Sequence, residues 1–229
     1  MIERLDALIF DVDGTLAETE EAHRAAFNQA FAEAGLDWIW GQRLYGELLK
    51  VTGGKERLAH FIETVLPDPP RDSVALIKRL HARKTEIYTA LIRPGAIDFR
   101  PGIADLIAEA RRRGVALAIA TTTSRPNVDA LICAVLGEDA LAWFASIACG
   151  DRVAAKKPAA DVYELALKEL DVQATRAIAI EDTWNGVRAA RTAGLKVMAV
   201  PSLYSAGEDF SEADVVTTPE HLAEALGWA

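Results

Sequence analysis

Five short, nearly continuous apolar runs recur along the chain, at residues 7–10, 115–120, 146–149, 177–180 and 197–200. Each is too short for a helix, and none alternates with polar residues, so they are expected as strands buried on both faces. The stretches between them, such as 103–113, 161–170 and 186–193, carry helical periodicity, and Gly114 and Gly194 are placed to close two of those helices. Strand and helix in alternation predict an α/β fold, a Rossmann-like parallel sheet with helices on both faces. Between the first two strands the alternation breaks. From about Thr19 to Leu91 the pattern is almost purely helical, over 20–35, 43–50, 56–66 and 73–91, with Gly53-Gly54 and Pro67-Asp68-Pro69-Pro70 as breaks. The expected organisation is an α/β core of residues 1–17 and 93–229 and an inserted all-helical cap of residues 18–92. The chain returns to the core through Arg93-Pro94-Gly95 and Arg100-Pro101-Gly102.

Composition changes this picture little. The 229 residues are 51% hydrophobic and 26% charged, enough for a substantial core. The formal charge of −9 argues against nucleic acid and anionic membranes as partners, so an anionic ligand needs a local positive site. Cys133 and Cys149 lie in apolar surroundings without metal or redox spacing, and are expected as buried thiols of a reducing compartment. Residues 1–11 do not resemble a signal peptide, and no apolar run approaches the ~18 residues of a membrane span. A cytoplasmic, monomeric protein is expected.

Candidate chemistry concentrates where the strands end. Asp11-Val12-Asp13-Gly14-Thr15-Leu16 follows the first strand directly. Ligands of parallel α/β sheets bind outside the carboxyl ends of the strands. Two aspartates there call for a neutralising cation, and an all-oxygen carboxylate site favours Mg2+; an ordinary Asp-Gly turn is the alternative. The second strand ends in Thr121-Thr122-Thr123-Ser124, whose hydroxyls and amides precede a helix and suit phosphate oxygens or a simple helix cap. Lys156-Lys157-Pro158 follows the third strand, and Glu181-Asp182 ends the fourth. Each has a plain reading as loop or turn. Their shared position at successive strand ends is what sets them apart.

This ordered set, Asp11-x-Asp13-Gly-Thr15, Thr121, Lys157-Pro and Glu181-Asp182, resembles the four signature motifs of the haloacid dehalogenase superfamily over nearly the whole chain. The helical insertion resembles the cap shared by beta-phosphoglucomutases and many sugar phosphatases. The stretches Glu18-Thr19-Glu20-Glu21-Ala22-His23-Arg24, Gly35-Leu36-Asp37-Trp38 and Val51-Thr52-Gly53-Gly54-Lys55-Glu56-Arg57 are similar to the CbbY family, phosphatases of xylulose 1,5-bisphosphate.

The resemblance implies an Mg2+-dependent hydrolase of a small phosphorylated sugar. Asp11 is then the nucleophile that forms an aspartyl-phosphate, and Asp13 the acid/base. Thr121 and Lys157 hold the transferred group. Asp11, the Asp13 carbonyl and Asp182 bind the metal, with Glu181 a ligand or its outer partner. Lys55 on a Gly-rich cap loop and the segment Thr122, Thr123, Ser124 and Arg125 would hold a second phosphate, with Lys50 and Arg57 nearby in sequence. A substrate-facing His23 is implied, although its stripe with Phe27 and Phe31 also fits a packed histidine. Glu18 stands where CbbY-type sequences carry glutamate; it would bind a sugar hydroxyl or cap the first cap helix with Thr19. Lys84 is a further candidate contact, and the five tryptophans are expected to pack. A sugar phosphomutase and a general sugar-phosphate phosphatase use the same catalytic residues and stay open. A non-catalytic module would be expected to lose the nucleophile, whereas Asp11, Asp13, Lys157 and Asp182 are all present, and a dehalogenase would not need the second aspartate and the metal carboxylates.

Overall fold

A computed structural model of the protein describes residues 4–228. In chain order it contains β1 (Ala7–Phe10), α1 (Glu20–Glu33), α2 (Gln42–Leu49), α3 (Gly54–Thr64), α4 (Ser73–Leu91), α5 (Ile103–Arg112), β2 (Ala116–Ala120), α6 (Arg125–Leu136), β3 (Phe144–Ala148), α7 (Asp161–Leu170), β4 (Ala177–Glu181), α8 (Trp184–Thr192), β5 (Lys196–Ala199), β6 (Val215–Val216) and the short α9 (Leu222–Ala225). The six strands form one parallel sheet in the order β3-β2-β1-β4-β5-β6. The chain therefore leaves β1 toward β2 and β3, then crosses back to place β4 on the other side of β1. A crevice opens at such a reversal, beyond the carboxyl ends of β1 and β4.

The two faces of the sheet differ. Alternation along a strand sends neighbouring residues to opposite sides, and this sequence alternates alanine with bulk. Leu8, Phe10, Leu117, Ile119, Ile178 and Ile180 pack on one face against α5, α6 and residues of α1 and α4. Ala7, Ala118, Ala120, Ala177, Ala179 and Ala199 line the other with Ile9 and Val197, against α7 and α8.

Helices α1–α4 surround a separate apolar cluster in which Phe27, Phe31, Trp40, Tyr45, Leu58 and Phe61 are buried. Trp40 is its hub, with the rings of Phe27, Phe31, Phe61 and Tyr45 at centroid distances of 4.6, 5.0, 5.4 and 5.9 Å. Trp143, Trp184 and Trp228 instead each lie beneath an arginine, Arg111, Arg188 and Arg113 respectively. Among the described residues no helix is long and apolar enough to cross a membrane.

The indole N–H of Trp40 is buried without a hydrogen-bond partner among the described residues, so its stabilisation comes from packing alone. Trp40→Ala should therefore cost about 3–5 kcal/mol in urea unfolding. Trp40→Phe should cost clearly less, since no hydrogen bond is lost with the indole.

Candidate active site

The turn after β1 is built tightly. Asp11 N–H continues the sheet by donating to Ile180 O, and Leu16 N–H closes back onto Val12 O. Gly14 has φ of 81°, and a Cβ there would lie 2.1 Å from Asp182 Oδ2. Only glycine permits this close approach of the β1 turn to the end of β4. Thr15 Oγ1 donates to Asp182 Oδ1 at 3.3 Å.

Three carboxylates meet here, those of Asp11, Glu181 and Asp182, with one oxygen of each lying within 4.8 Å of the others. Lys157 Nζ donates to Asp11 Oδ1 at 2.5 Å and to Glu181 Oε1 at 2.6 Å. Tyr163 on α7 donates its hydroxyl to the same Glu181 oxygen at 2.6 Å. Glu181 Oε2 accepts the Asp182 amide and lies against Gly186, where any Cβ would collide with the carboxylate. Both Glu181 oxygens are thus engaged by the protein, and the residue sits fully buried behind Lys157.

One lysine does not balance three buried acids. Burial pushes the Asp11 carboxyl up to about 7, against the pull of Lys157 and with a further push from Glu181 and Asp13. Burial, then repulsion from Asp11 and Glu181, lifts Asp182 well above the usual carboxylate range. Burial alone would lower the Lys157 ammonium, but Asp11 and Glu181 outweigh it and hold the charge in place. The acid set, its excess of negative charge and its oxygen donors fit a divalent cation.

Asp13 faces the helical layer instead. Its Oδ1 accepts Thr19 Oγ1 at 2.5 Å and His23 Nε2 at 2.9 Å. Lys84 Nζ lies 2.6 Å from His23 Nδ1, and the imidazole stacks on Tyr88 at 3.9 Å. The chain of donors is consistent with a neutral His23, Lys84 giving to Nδ1 and Nε2–H giving to Asp13. Burial pushes the Asp13 carboxyl up, but His23, Thr19 and Lys84 together hold it below its usual range. Burial draws the Lys84 ammonium down to about 8 against Asp13 and Glu20.

A cavity of about 500 Å³ lies between the sheet edge and the helical layer. Asp11, Asp13, Thr121, Thr122, Thr123, Ser124, Lys157 and Asp182 line it from the sheet side, and His23, Lys55 and Lys84 from the helices. His23 is thus both packed and at the cavity. Three expected substrate contacts do not line it. Arg125 is exposed and bound to Asp129, four residues on in α6, at 2.6 Å. Lys50 is held at the surface by Glu47 at 2.6 Å. Glu18 turns to Arg100 and the Leu203 amide, and does not cap α1; the Thr19 hydroxyl is likewise committed to Asp13.

Several lining residues were not singled out from the sequence: Glu20, His81, Asn127, Asn185, Tyr204 and Glu208. Glu20 accepts the Tyr45 hydroxyl at 2.6 Å, and Arg57 donates to that hydroxyl from the other side. Asn127, 2% exposed, donates to Thr123 Oγ1 at 2.9 Å, and its Oδ1 has no partner among the described residues. Their signal was position: Glu20 one turn before His23, Asn127 in the first turn after the Thr/Ser run. The helical layer touches the sheet side through Thr52 Oγ1 on Lys157 O and Asn185 Nδ2 on Lys50 O.

Comparison with known proteins agrees with this architecture. A family model for haloacid dehalogenase-like hydrolases matches residues 5–194. The curated Protein CbbY of Cereibacter sphaeroides is 54% identical over 92% of this chain and 90% of its own. The crystal structure of CbbY from Rhodobacter sphaeroides in complex with phosphate superposes with a TM-score of 0.91 at 52% identity, covering 95% of this chain and 96% of that one. An aspartate-to-asparagine variant of that protein, in complex with xylulose-(1,5)bisphosphate, gives a TM-score of 0.90 at the same identity and coverage. The chain belongs to the haloacid dehalogenase-like hydrolases, among the CbbY proteins, and is a phosphatase of that family.

Proposed function

We propose that the protein hydrolyses a small sugar bisphosphate, xylulose 1,5-bisphosphate, to xylulose 5-phosphate and phosphate, with Mg2+ as its cation. The observation that carries this reading is Lys157 seated on Asp11 at the wall of a cavity whose opposite, helical wall carries the cation Lys55. One phosphate is served at the sheet edge, and a second has a positive partner across the cavity. The likeness to a CbbY crystallised with that bisphosphate supports the choice of sugar.

In this reading the cap is residues 18–92. A dianion approaching Asp11 meets three acids; Asp11, Asp182 and the Asp13 carbonyl would hold a divalent cation, which would supply the missing positive charge. Lys157 fixes one Asp11 oxygen and leaves the other to attack phosphorus. An incoming phosphate dianion beside Asp13 raises its proton affinity, so it takes a proton from solvent; the bond from phosphorus to the sugar oxygen then breaks as the aspartyl-phosphate forms, and Asp13 gives that proton to the leaving oxygen. Water then attacks phosphorus, Asp13 takes the water proton, and Asp11 is released with inorganic phosphate. Thr121, 1% exposed, and the Thr122–Ser124 segment line the path of the transferred group. Lys84, relayed through the hydrogen-bonding His23, keeps a positive charge near Asp13, so its carboxylate is stable between the two proton transfers.

Phosphate release with Mg2+ from xylulose 1,5-bisphosphate should exceed release from ribulose 1,5-bisphosphate and sugar monophosphates. Preference for monophosphates would remove the bisphosphate assignment, and accumulation of a bisphosphate from a hexose phosphate without net release would indicate a mutase. Asp11→Asn should lower turnover by roughly three orders of magnitude or more while substrate binding measured by calorimetry persists.

A stability measurement tests the cation. Without it, folded Asp11 keeps its proton up to about 7, whereas unfolded it loses it near the ordinary value of 3.8. This contribution to stability is full at pH below the unfolded value and is lost as pH rises through about 7. Mg2+ should therefore raise Tm more at about pH 8 than at about pH 5, by roughly 5–10 °C at a hundredfold excess over Kd. An equal shift at both would separate binding from these carboxylates.

A further inference from the structure

Arg100 lies where the chain re-enters the core from the helical layer, two residues before the turn that starts α5. Its side chain is only 12% exposed, yet no acid fully neutralises it. Its guanidinium is spent mainly on backbone carbonyls. One terminal nitrogen donates to both Gly14 O and Val200 O, the latter at 2.7 Å, and the other donates to Pro201 O at 2.8 Å. Nε faces Glu18 at 3.4 Å, and the same Glu18 carboxylate accepts the Leu203 amide. The Arg100 amide donates to Leu16 O at 2.8 Å. A planar, permanently charged fork that grips carbonyls from two separate loops fixes the distance between them.

Those two loops both border Asp182. Gly14 approaches the Asp182 carboxylate so closely that no side chain fits there, and Ser202 lies against the same face of Gly14 beside Asp182. Gly14 is held through both of its peptides: its N–H, in the Asp13–Gly14 unit, donates to Ala17 O at 2.8 Å, and its carbonyl, in the Gly14–Thr15 unit, accepts from Arg100. Because a trans peptide points its N–H and C=O in opposite directions, fixing the Gly14 N–H also fixes the carbonyl of Asp13.

We propose that Arg100 is a positioning residue for the cation site, bracing the Gly14–Thr15 peptide, whose Thr15 hydroxyl donates to Asp182, and the 200–203 segment beside it. It touches neither substrate nor reacting atoms, and none of its atoms lines the cavity. The proposal rests on the cation-site reading above and assigns an outer support to it. Loss of such a support weakens metal affinity and turnover together, while binding of the substrate's remote parts is spared.

Mn2+ binding, followed by the electron paramagnetic resonance of the free ion, would be compared for the wild-type protein, Asp182→Asn, Arg100→Ala and Arg100→Lys, with melting curves for each. Arg100→Ala should raise the Kd for Mn2+ by roughly tenfold or more, with Arg100→Lys between it and wild type. With p-nitrophenyl phosphate at saturating Mg2+, kcat should fall by at least about tenfold and KM change by less than about threefold. If Arg100→Ala does not fold, Arg100→Lys decides. Folded Arg100 variants with wild-type Mn2+ affinity, beside an Asp182→Asn that has lost it, would overturn the role of Arg100 alone. A wild-type protein that binds no Mn2+, or an Asp182→Asn that binds it normally, would overturn the cation site and this role with it.

Discussion

The buried contact of the Lys157 ammonium with Asp11 and Glu181 is the constraint around which the site is arranged. Three carboxylates at the end of a buried sheet would repel one another strongly in a poorly solvated region. Lys157 removes part of that repulsion and commits one oxygen of each acid it touches. Tyr163 and the Asp182 amide complete the coordination of Glu181, which becomes the anchor of the lysine. Asp11 and Asp182 line the cavity. One residue thus orients Asp11, and the remaining imbalance of charge suits a cation.

The second acid of the β1 turn is governed from elsewhere in the chain. Asp13 follows Asp11 by two residues but takes its partners from α1 and α4, through His23 and Lys84. Its proton affinity is therefore set by the helical layer and not by the sheet. Two aspartates of one turn acquire opposite tendencies, Asp11 raised by burial among acids and Asp13 lowered by cationic and hydrogen-bonding neighbours. A bound cation would lower the first and an incoming phosphate dianion would raise the second, exchanging these tendencies.

Much of this was legible in the sequence. Strands buried on both faces leave unbroken apolar runs, so β1 to β5 could be read to within a residue or two. The pair Val215–Val216 is too short to leave a pattern, and β6 went unread. The four helices of the insertion carried clear breaks at glycine and proline. The acids and the lysine were legible because chain order fixes them at strand ends. Side-chain direction on a helix or exposed turn is not fixed that way. Arg125 and Lys50 stand beside the cavity in sequence, but an acid on the same helix captures each. Glu20 and Asn127 enter it because of how their helices are rotated by packing, which periodicity alone does not give.

The alanine face of the sheet determines how finely the site is calibrated. Alanines of β1, β2 and β4 act as spacers of minimal thickness, and α7 and α8 settle directly on them. Those helices carry Tyr163 and Gly186, the two contacts that confine Glu181. A single added methyl group several residues from any reacting atom would lift a helix outward and slacken the grip on the lysine. The catalytic end is gauged from beneath by side-chain volume, so the least reactive residues in the protein set the tolerance of its most reactive ones.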